Sequence, residues 1–138
     1  MMFLLRAFAV WLFIIAVETV HGILRILLLV PMMGDFPARQ LSVFTGSLLI
    51  FGVTLFLINW IAAKKNLQLI VVGVLWVALT VLFEITLGRL VLDLSWDRIT
   101  EDYSITRGGF LGFGLVFMAL SPLLAARMRS RNDKVTGQ

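Results

Sequence analysis

The most unusual polar cluster in the sequence lies inside an apolar run that starts at Ala7, and it consists of Glu18, His21, Gly22 and Arg25. The spacing of i, i+3, i+4 and i+7 puts these residues on one stripe of a helix. A carboxylate, an imidazole and a guanidinium on one stripe can exchange protons and hold charged or polar groups. This stripe is therefore the primary candidate for function.

A second, looser stripe occurs at Glu84, Gly88 and Arg89, again inside a long apolar run. A charged side chain at the centre of a bilayer costs about 2.5–3.5 kcal/mol on insertion scales, so such groups are functional candidates by default. Two more arginines lie where predicted helices begin. The candidate residues of a substrate or ion pathway are therefore Glu18, His21, Arg25, Arg39, Glu84, Arg89 and Arg107.

The balance of charge in these candidates suggests the kind of guest. Four arginines against two glutamates leave the cluster net positive, which favours an anionic group or a lipid headgroup. Alternatively, Glu18–Arg25 and Glu84–Arg89 are buried ion pairs that only fix the register of the helices. In that case the arginine side chains extend towards the membrane surface.

Cofactor chemistry receives little support from the sequence. The chain has no cysteine, which excludes disulfides, thiolate metal sites and a cysteine nucleophile, and it has one histidine. Glu18, His21 and Glu84 have suitable donor atoms for a metal, but their spacing matches no metal-binding motif. The glycine run 108–114 begins a predicted membrane span and does not follow a strand, so it is not a nucleotide loop. We predict no cofactor, no metal and no nucleic acid partner.

The composition indicates which elements position these residues. The 138 residues are 60% apolar and 14% charged, with a mean hydropathy of +1.00. Soluble domains have about 45–50% apolar and 25% charged residues, so the sequence predicts an all-α integral membrane protein. It has four apolar segments, each long enough to cross a ~30 Å hydrocarbon core. The predicted spans of this single domain (1–138) are 7–30, 41–63, 67–92 and 108–126.

The connectors separate the charges by sign. Connectors 31–40 and 93–107 together hold five acidic and three basic residues, whereas the residues before span one, between spans two and three, and in the tail 127–138 are mostly basic. The positive-inside rule then puts both termini in the cytoplasm of a bacterial cell, with the protein in its inner membrane. Within the second connector, the sequence predicts a short interfacial helix capped by Ser95.

The two halves of the chain resemble each other. Glu18 matches Glu84 at an offset of 66 residues, and Gly46 matches Gly114 at an offset of 68. This suggests two tandem helical hairpins that form an internal repeat, with any pseudo-symmetry axis along the membrane normal.

Three functions are compatible with this sequence. The first is an oligomeric channel or transporter for a small ion or an anionic solute, because four spans rarely enclose a pathway alone. The second is an accessory or assembly subunit of a larger membrane complex, favoured by the small size. The third, ranked last because no nucleophile or metal motif is present, is a membrane-embedded enzyme or binding protein for a lipid or quinone-like substrate. The expected partners are membrane lipid and either further copies of the chain or other subunits.

Overall fold

The computed structural model describes residues 2–63, 65–104, 106 and 109–135, with the side chains of all of these except 102 and 131–135. This part of the chain is helical and contains no strand, and four of its helices are long and apolar enough to cross a membrane, as predicted. The helices are α1 (Met2–Met33), α2 (Asp35–Ile61), α3 (Asn66–Val91), α4 (Trp96–Tyr103) and α5 (Leu111–Val135).

The junction between α1 and α2 is shorter than the connector 31–40 that the sequence predicts. A single residue, Gly34, separates the two helices, with φ 89° and ψ 165°, a conformation that favours glycine. Pro37 lies in the first turn of α2, and Pro31 lies in the first turn of the segment Val30–Met33 at the end of α1. A missing N–H costs nothing at such positions, so neither proline breaks its helix. As a result, Arg39 lies inside α2 rather than in a connector.

Two of the long helices contain a π-helical turn near the end that carries the connectors. In α1 this turn covers Arg25–Leu29, and in α3 it covers Leu87–Val91. A π-helical turn accommodates one extra residue and rotates the following residues around the helix axis. The polar stripe of α1 ends at Arg25, where this turn begins, and only apolar residues follow as far as Met33.

The directions of the helices follow from their contacts. Near one end of the bundle, Arg6 Nη1 of α1 donates a hydrogen bond of 3.0 Å to the carbonyl of Trp60 in α2. Near the other end, His21 Nε2 of α1 lies 2.7 Å from Thr45 Oγ1 of α2. Since early residues of α1 meet late residues of α2, the two helices are antiparallel.

By contrast, α2 and α5 are parallel. The rings of Phe44 and Phe110 lie edge to face with centroids 5.8 Å apart, and so do those of Phe51 and Phe117. Each pair joins residues 66 positions apart, the same offset that relates Glu18 to Glu84 in the sequence. The repeat predicted from the sequence matches α2 to α5 at an offset of 68, so these aromatic pairs differ from its register by two positions.

A buried group of side chains, here called the tryptophan core, joins α1 to α3 in the half of the bundle away from the connectors. Trp11 Nε1 donates to Thr80 Oγ1 at 3.0 Å, and Trp76 Nε1 donates to the carbonyl of Ala7 at 2.9 Å. Thr80 Oγ1 in turn lies 3.4 Å from Met118 Sδ of α5. All of these residues are buried, and every polar hydrogen of the two indoles has an acceptor. These side chains therefore fill the space between α1, α3 and α5 in this half of the bundle.

One glycine allows close contact between α3 and α5. A Cβ atom on Gly73 would overlap the backbone carbonyl of Ala119, so only glycine fits. The matched pair Gly46 and Gly114 have different neighbours: Gly46 faces Glu18, whereas Gly114 faces Val43 of α2. The two matched glycines therefore do not make equivalent contacts.

Many large apolar side chains on the long helices point away from the bundle. More than half of the surface of Leu48, Phe56, Leu82 and Val116 is exposed, for example. An apolar surface of this extent around a whole bundle is what lipid solvates and water does not.

Candidate functional site

The polar stripe of α1 meets α2 through an extended chain of side-chain contacts. His21 Nδ1 lies 3.4 Å from Glu18 Oε2, and His21 Nε2 lies 2.7 Å from Thr45 Oγ1. Both ring nitrogens of one imidazole thus face an oxygen atom. Either nitrogen can carry the proton, so the chain Glu18–His21–Thr45 is arranged to hold and pass a proton.

Gly46 of α2 leaves space for the side chains of Glu18 and His21. A Cβ atom at Gly46 would lie 2.9 Å from Glu18 Oε2 and 3.4 Å from His21 Cε1. The absence of a side chain therefore lets the carboxylate lie flat against α2. In the sequence, Gly46 is notable only as the match of Gly114. In the structure, it lies against Glu18 and His21.

A cavity of about 410 Å³ lies next to this pair, between the long helices in the half of the bundle that carries the connectors. Glu18, His21 and Arg25 line it from α1, Arg39 lines it from α2 and Glu84 lines it from α3. The structure thus brings five of the seven candidate residues to one cavity.

Of the other two candidates, the structure describes only Arg89. Arg89 donates a hydrogen bond of 3.0 Å to the carbonyl of Leu94, and its guanidinium lies 4.9 Å from the ring centroid of Trp96. Arg89 therefore holds the connector and does not line the cavity. Arg107 lies outside the described residues.

At the connector end, helix α4 covers part of the cavity. Its only buried hydrophobic residue in the described part, Ile99, packs against Gly88, where a Cβ atom would lie 3.2 Å from Ile99 Cδ1. Ser95 accepts a hydrogen bond of 3.1 Å from the Arg98 amide and so caps the helix, as the sequence predicts. The hydroxyl of Tyr103 donates to Glu84 Oε2 at 3.3 Å. We call α4 the cover helix.

Ion pairs tie the cover helix to the first turns of α2. Arg39 lies 2.9 Å from Asp35 and 3.1 Å from Glu101, and Arg98 lies 3.7 Å from Asp35. Two acidic partners therefore offset the charge of Arg39, which is 8% exposed. The net positive charge expected from the count of arginines is reduced accordingly, and with it the expectation of an anionic guest.

Two oxygen atoms of cavity-lining residues have no hydrogen-bond partner among the described residues: Glu18 Oε1 and Ser42 Oγ. Ser42 is 8% exposed, so its hydroxyl is shielded from the surroundings of the bundle. Buried polar groups are nearly always hydrogen-bonded, so these two oxygen atoms can take a partner from the cavity.

Of the residues that α2 contributes to the cavity wall, Arg39 was predicted from the sequence, whereas Ser42 and Gly46 were not. Arg39, Ser42 and Gly46 follow the spacing i, i+3, i+7, which is the same signal that identified α1. Serine and glycine are common in membrane helices, so the stripe is less conspicuous than one with charged residues. Within the described part of the chain, no group of three or more histidine or acidic side chains is arranged to hold a metal ion.

No protein-family model matches this chain, and comparison with the curated proteins and with the solved structures finds no match either.

Proposed function

We propose that the protein spans the cytoplasmic membrane of a bacterium as two tandem helical hairpins, with both termini in the cytoplasm. The four long apolar helices and their exposed apolar surface support insertion. Arg6, Lys65 and Arg127 belong to the end of the sequence pattern that is rich in basic residues, and the cover helix belongs to the acidic end, so the positive-inside rule supports this orientation.

Within that membrane, we propose that the protein is a small carrier that moves an ion or small solute together with a proton. The observation that supports this most directly is the chain Glu18–His21–Thr45 beside a cavity inside apolar helices. Ionisable groups at this depth are costly and belong to proton and substrate pathways.

A carrier is favoured over an open channel because the cavity is closed at one end. The tryptophan core fills the other half of the bundle, with Trp76 and Ile14 almost fully buried. A cavity with access from one side only is what alternating access requires of each of its two states. Transport then needs a rearrangement of the contacts of Trp11 and Trp76.

Self-association forms part of this proposal. Gly52 on α2 and Gly112 on α5 have no described neighbour within 4 Å of a Cβ atom. Such positions allow the close approach of a helix from a second copy. Chemical crosslinking in lipid at several protein concentrations tests this, and a monomer at every concentration contradicts it.

The carrier proposal is tested by proton flux into liposomes that contain the purified protein and a trapped pH indicator. An imposed gradient of the substrate, screened among small ions and solutes, is expected to drive proton flux. Glu18→Gln and Glu84→Gln should each lower the flux at least tenfold, because an amide cannot carry the proton. Arg89→Gln is the matched control, since it removes a charge that lies outside the cavity. Flux that survives Glu18→Gln, or no flux under any gradient, contradicts the proposal.

A further inference from the structure

The two unpartnered atoms of the cavity define the chemistry of its guest. Glu18 Oε1 is a hydrogen-bond acceptor when ionised, and Ser42 Oγ can both donate and accept. The two residues face the same part of the cavity, because Ser42 lies one turn from Gly46 on α2 and Gly46 contacts Glu18. The chemistry of the two atoms suits a hydroxyl group, which can donate to the carboxylate and accept from the serine.

An anionic headgroup fits this position less well. A phosphate has no proton to spare for Glu18 Oε1 when fully ionised, and it is repelled by Glu18 and Glu84 together. Arg39 offsets this repulsion only in part, because it is paired with Asp35 and Glu101. The polar end of the guest is therefore neutral.

The mouth of the cavity indicates the rest of the guest. The contacts of the tryptophan core hold α1 against α3 in one half of the bundle, and the cavity lies beyond them, with both helices in its wall. Three apolar side chains that line it are also more than half exposed on the outer surface: Ile23 at 52%, Ile26 at 56% and Leu92 at 58%. The cavity thus reaches the surface of the bundle between α1 and α3, at apolar residues.

From these observations we propose that the cavity binds a neutral amphiphile, a long-chain or isoprenoid alcohol, which enters from the lipid between α1 and α3. Its hydroxyl group lies between Glu18 and Ser42, and its chain passes Ile23, Ile26 and Leu92 into the bilayer. This inference goes beyond the proposed function: it names a lipid ligand of the same cavity, not the ion or small solute that the carrier moves with the proton.

The test uses three photoreactive probes with one sixteen-carbon chain, ending in a hydroxyl, a phosphate or a methyl group. Each is incorporated into liposomes with the full-length protein and irradiated, and the crosslinked peptides are located by mass spectrometry. The alcohol is expected to label residues 19–26 and 87–92 several-fold more than the other two probes, and an excess of unlabelled alcohol should remove the label.

Two serines provide a matched pair of variants. Ser42→Ala removes the unpartnered hydroxyl and should lower labelling by the alcohol about threefold to tenfold, which is the usual effect of one hydrogen bond. Ser47→Ala changes the same residue type in the same cavity wall. Its hydroxyl already donates to the carbonyl of Val43 at 2.6 Å, so labelling should not change. Glu18→Ala should lower labelling by tenfold or more, and the serine pair carries the test if that variant does not fold.

Each contrary result has a distinct meaning. Equal labelling by the methyl probe indicates only nonspecific partition into an apolar groove, and preferential labelling by the phosphate indicates an anionic lipid; either overturns the inference. If proton flux depends on Glu18 but the alcohol does not label the protein, the inference about the ligand is also overturned, and the carrier proposal stands. Labelling by the alcohol with no flux under any gradient supports the ligand and contradicts the carrier.

Discussion

Glu18 Oε2 lies 3.4 Å from His21 Nδ1 and is also the atom that a Cβ on Gly46 would meet at 2.9 Å. One carboxylate oxygen is therefore held between its own helix and the neighbouring one. The other oxygen of the same carboxylate faces the cavity without a described partner. This division of roles lets Glu18 be fixed in position and still be available to a guest.

The position of Glu18 depends on Gly46, and this yields a first prediction. In Gly46→Ala, the added methyl group would displace the carboxylate and the imidazole, so we expect proton flux and labelling by the alcohol to fall at least fivefold. The thermal midpoint in detergent should change by only a few degrees, because the displaced groups border a cavity. Leu48→Ala on the same helix is the control, since this side chain is 71% exposed and points away from the bundle. Equal activity of the two variants would show that Glu18 does not need this glycine.

The contact between α3 and α5 is the subject of a second prediction. Gly73→Ala forces a methyl group into the backbone of Ala119, and neither helix can yield without losing other contacts. Overpacking of this kind costs about 1–3 kcal/mol or more. We expect a clear fall in the midpoint of thermal or denaturant unfolding in detergent, whereas Gly112→Ala, where nothing lies within 4 Å, should leave it nearly unchanged. A midpoint for Gly73→Ala equal to that of the control would mean that the two helices lie further apart.

A third prediction concerns the tryptophan core. Thr80→Val keeps the shape of the side chain but removes the acceptor of the Trp11 indole, which is buried at 3.0 Å from the threonine oxygen. A buried donor without a partner costs about 1–3 kcal/mol. Unfolding in detergent should therefore occur at a lower temperature, and the tryptophan emission of the folded protein should change. Thr86→Val, at an exposed position of the same helix, supplies the comparison. Identical melting of the two valine variants would argue against this hydrogen bond.

The cover helix offers a fourth prediction, and the absence of cysteine from the chain makes it simple to measure. In a protein with Ile99→Cys, the thiol should react slowly with a water-soluble maleimide, because Ile99 is packed against Gly88. Adding Glu101→Gln removes one partner of Arg39 and should speed the reaction severalfold. Salt should have a smaller effect in the same direction, since Asp35 of this network is about half exposed.

The control for the cover helix is Asp97→Asn. It removes a carboxylate from the same helix at an exposed position, and the rate of labelling should stay constant. If Glu101→Gln has no more effect than Asp97→Asn, the ion pair does not hold the helix in place.

The sequence was sufficient to predict the helical class and the number of long apolar helices, because hydropathy acts on whole segments and is insensitive to local detail. The ends of the helices were less predictable. Pro31 and Pro37 suggested a break, yet both occupy first-turn positions where proline is tolerated, and Gly34 alone makes the junction.

The site was predicted in part for a similar reason. Charges inside apolar runs identified Glu18 and Glu84, since their cost in lipid is independent of the fold. The orientation of Arg89 depends on Trp96 and Leu94, which lie on a connector whose path no helical period encodes. Ser42 is a candidate because its hydroxyl has no hydrogen-bond partner among the described residues, and only the packed structure reveals this.

The unequal lengths of the helices have a consequence for the outline of the protein. Met33, the end of α1, lies 15 residues beyond Glu18, whereas Val91, the end of α3, lies only 7 beyond Glu84. At 1.5 Å per residue, α1 extends roughly 12 Å further than α3 past a matched position. The second half of the chain uses the corresponding residues for the cover helix. In the membrane proposed above, lipid beside the mouth of the cavity therefore meets a step in height between the longer α1 and the shorter α3.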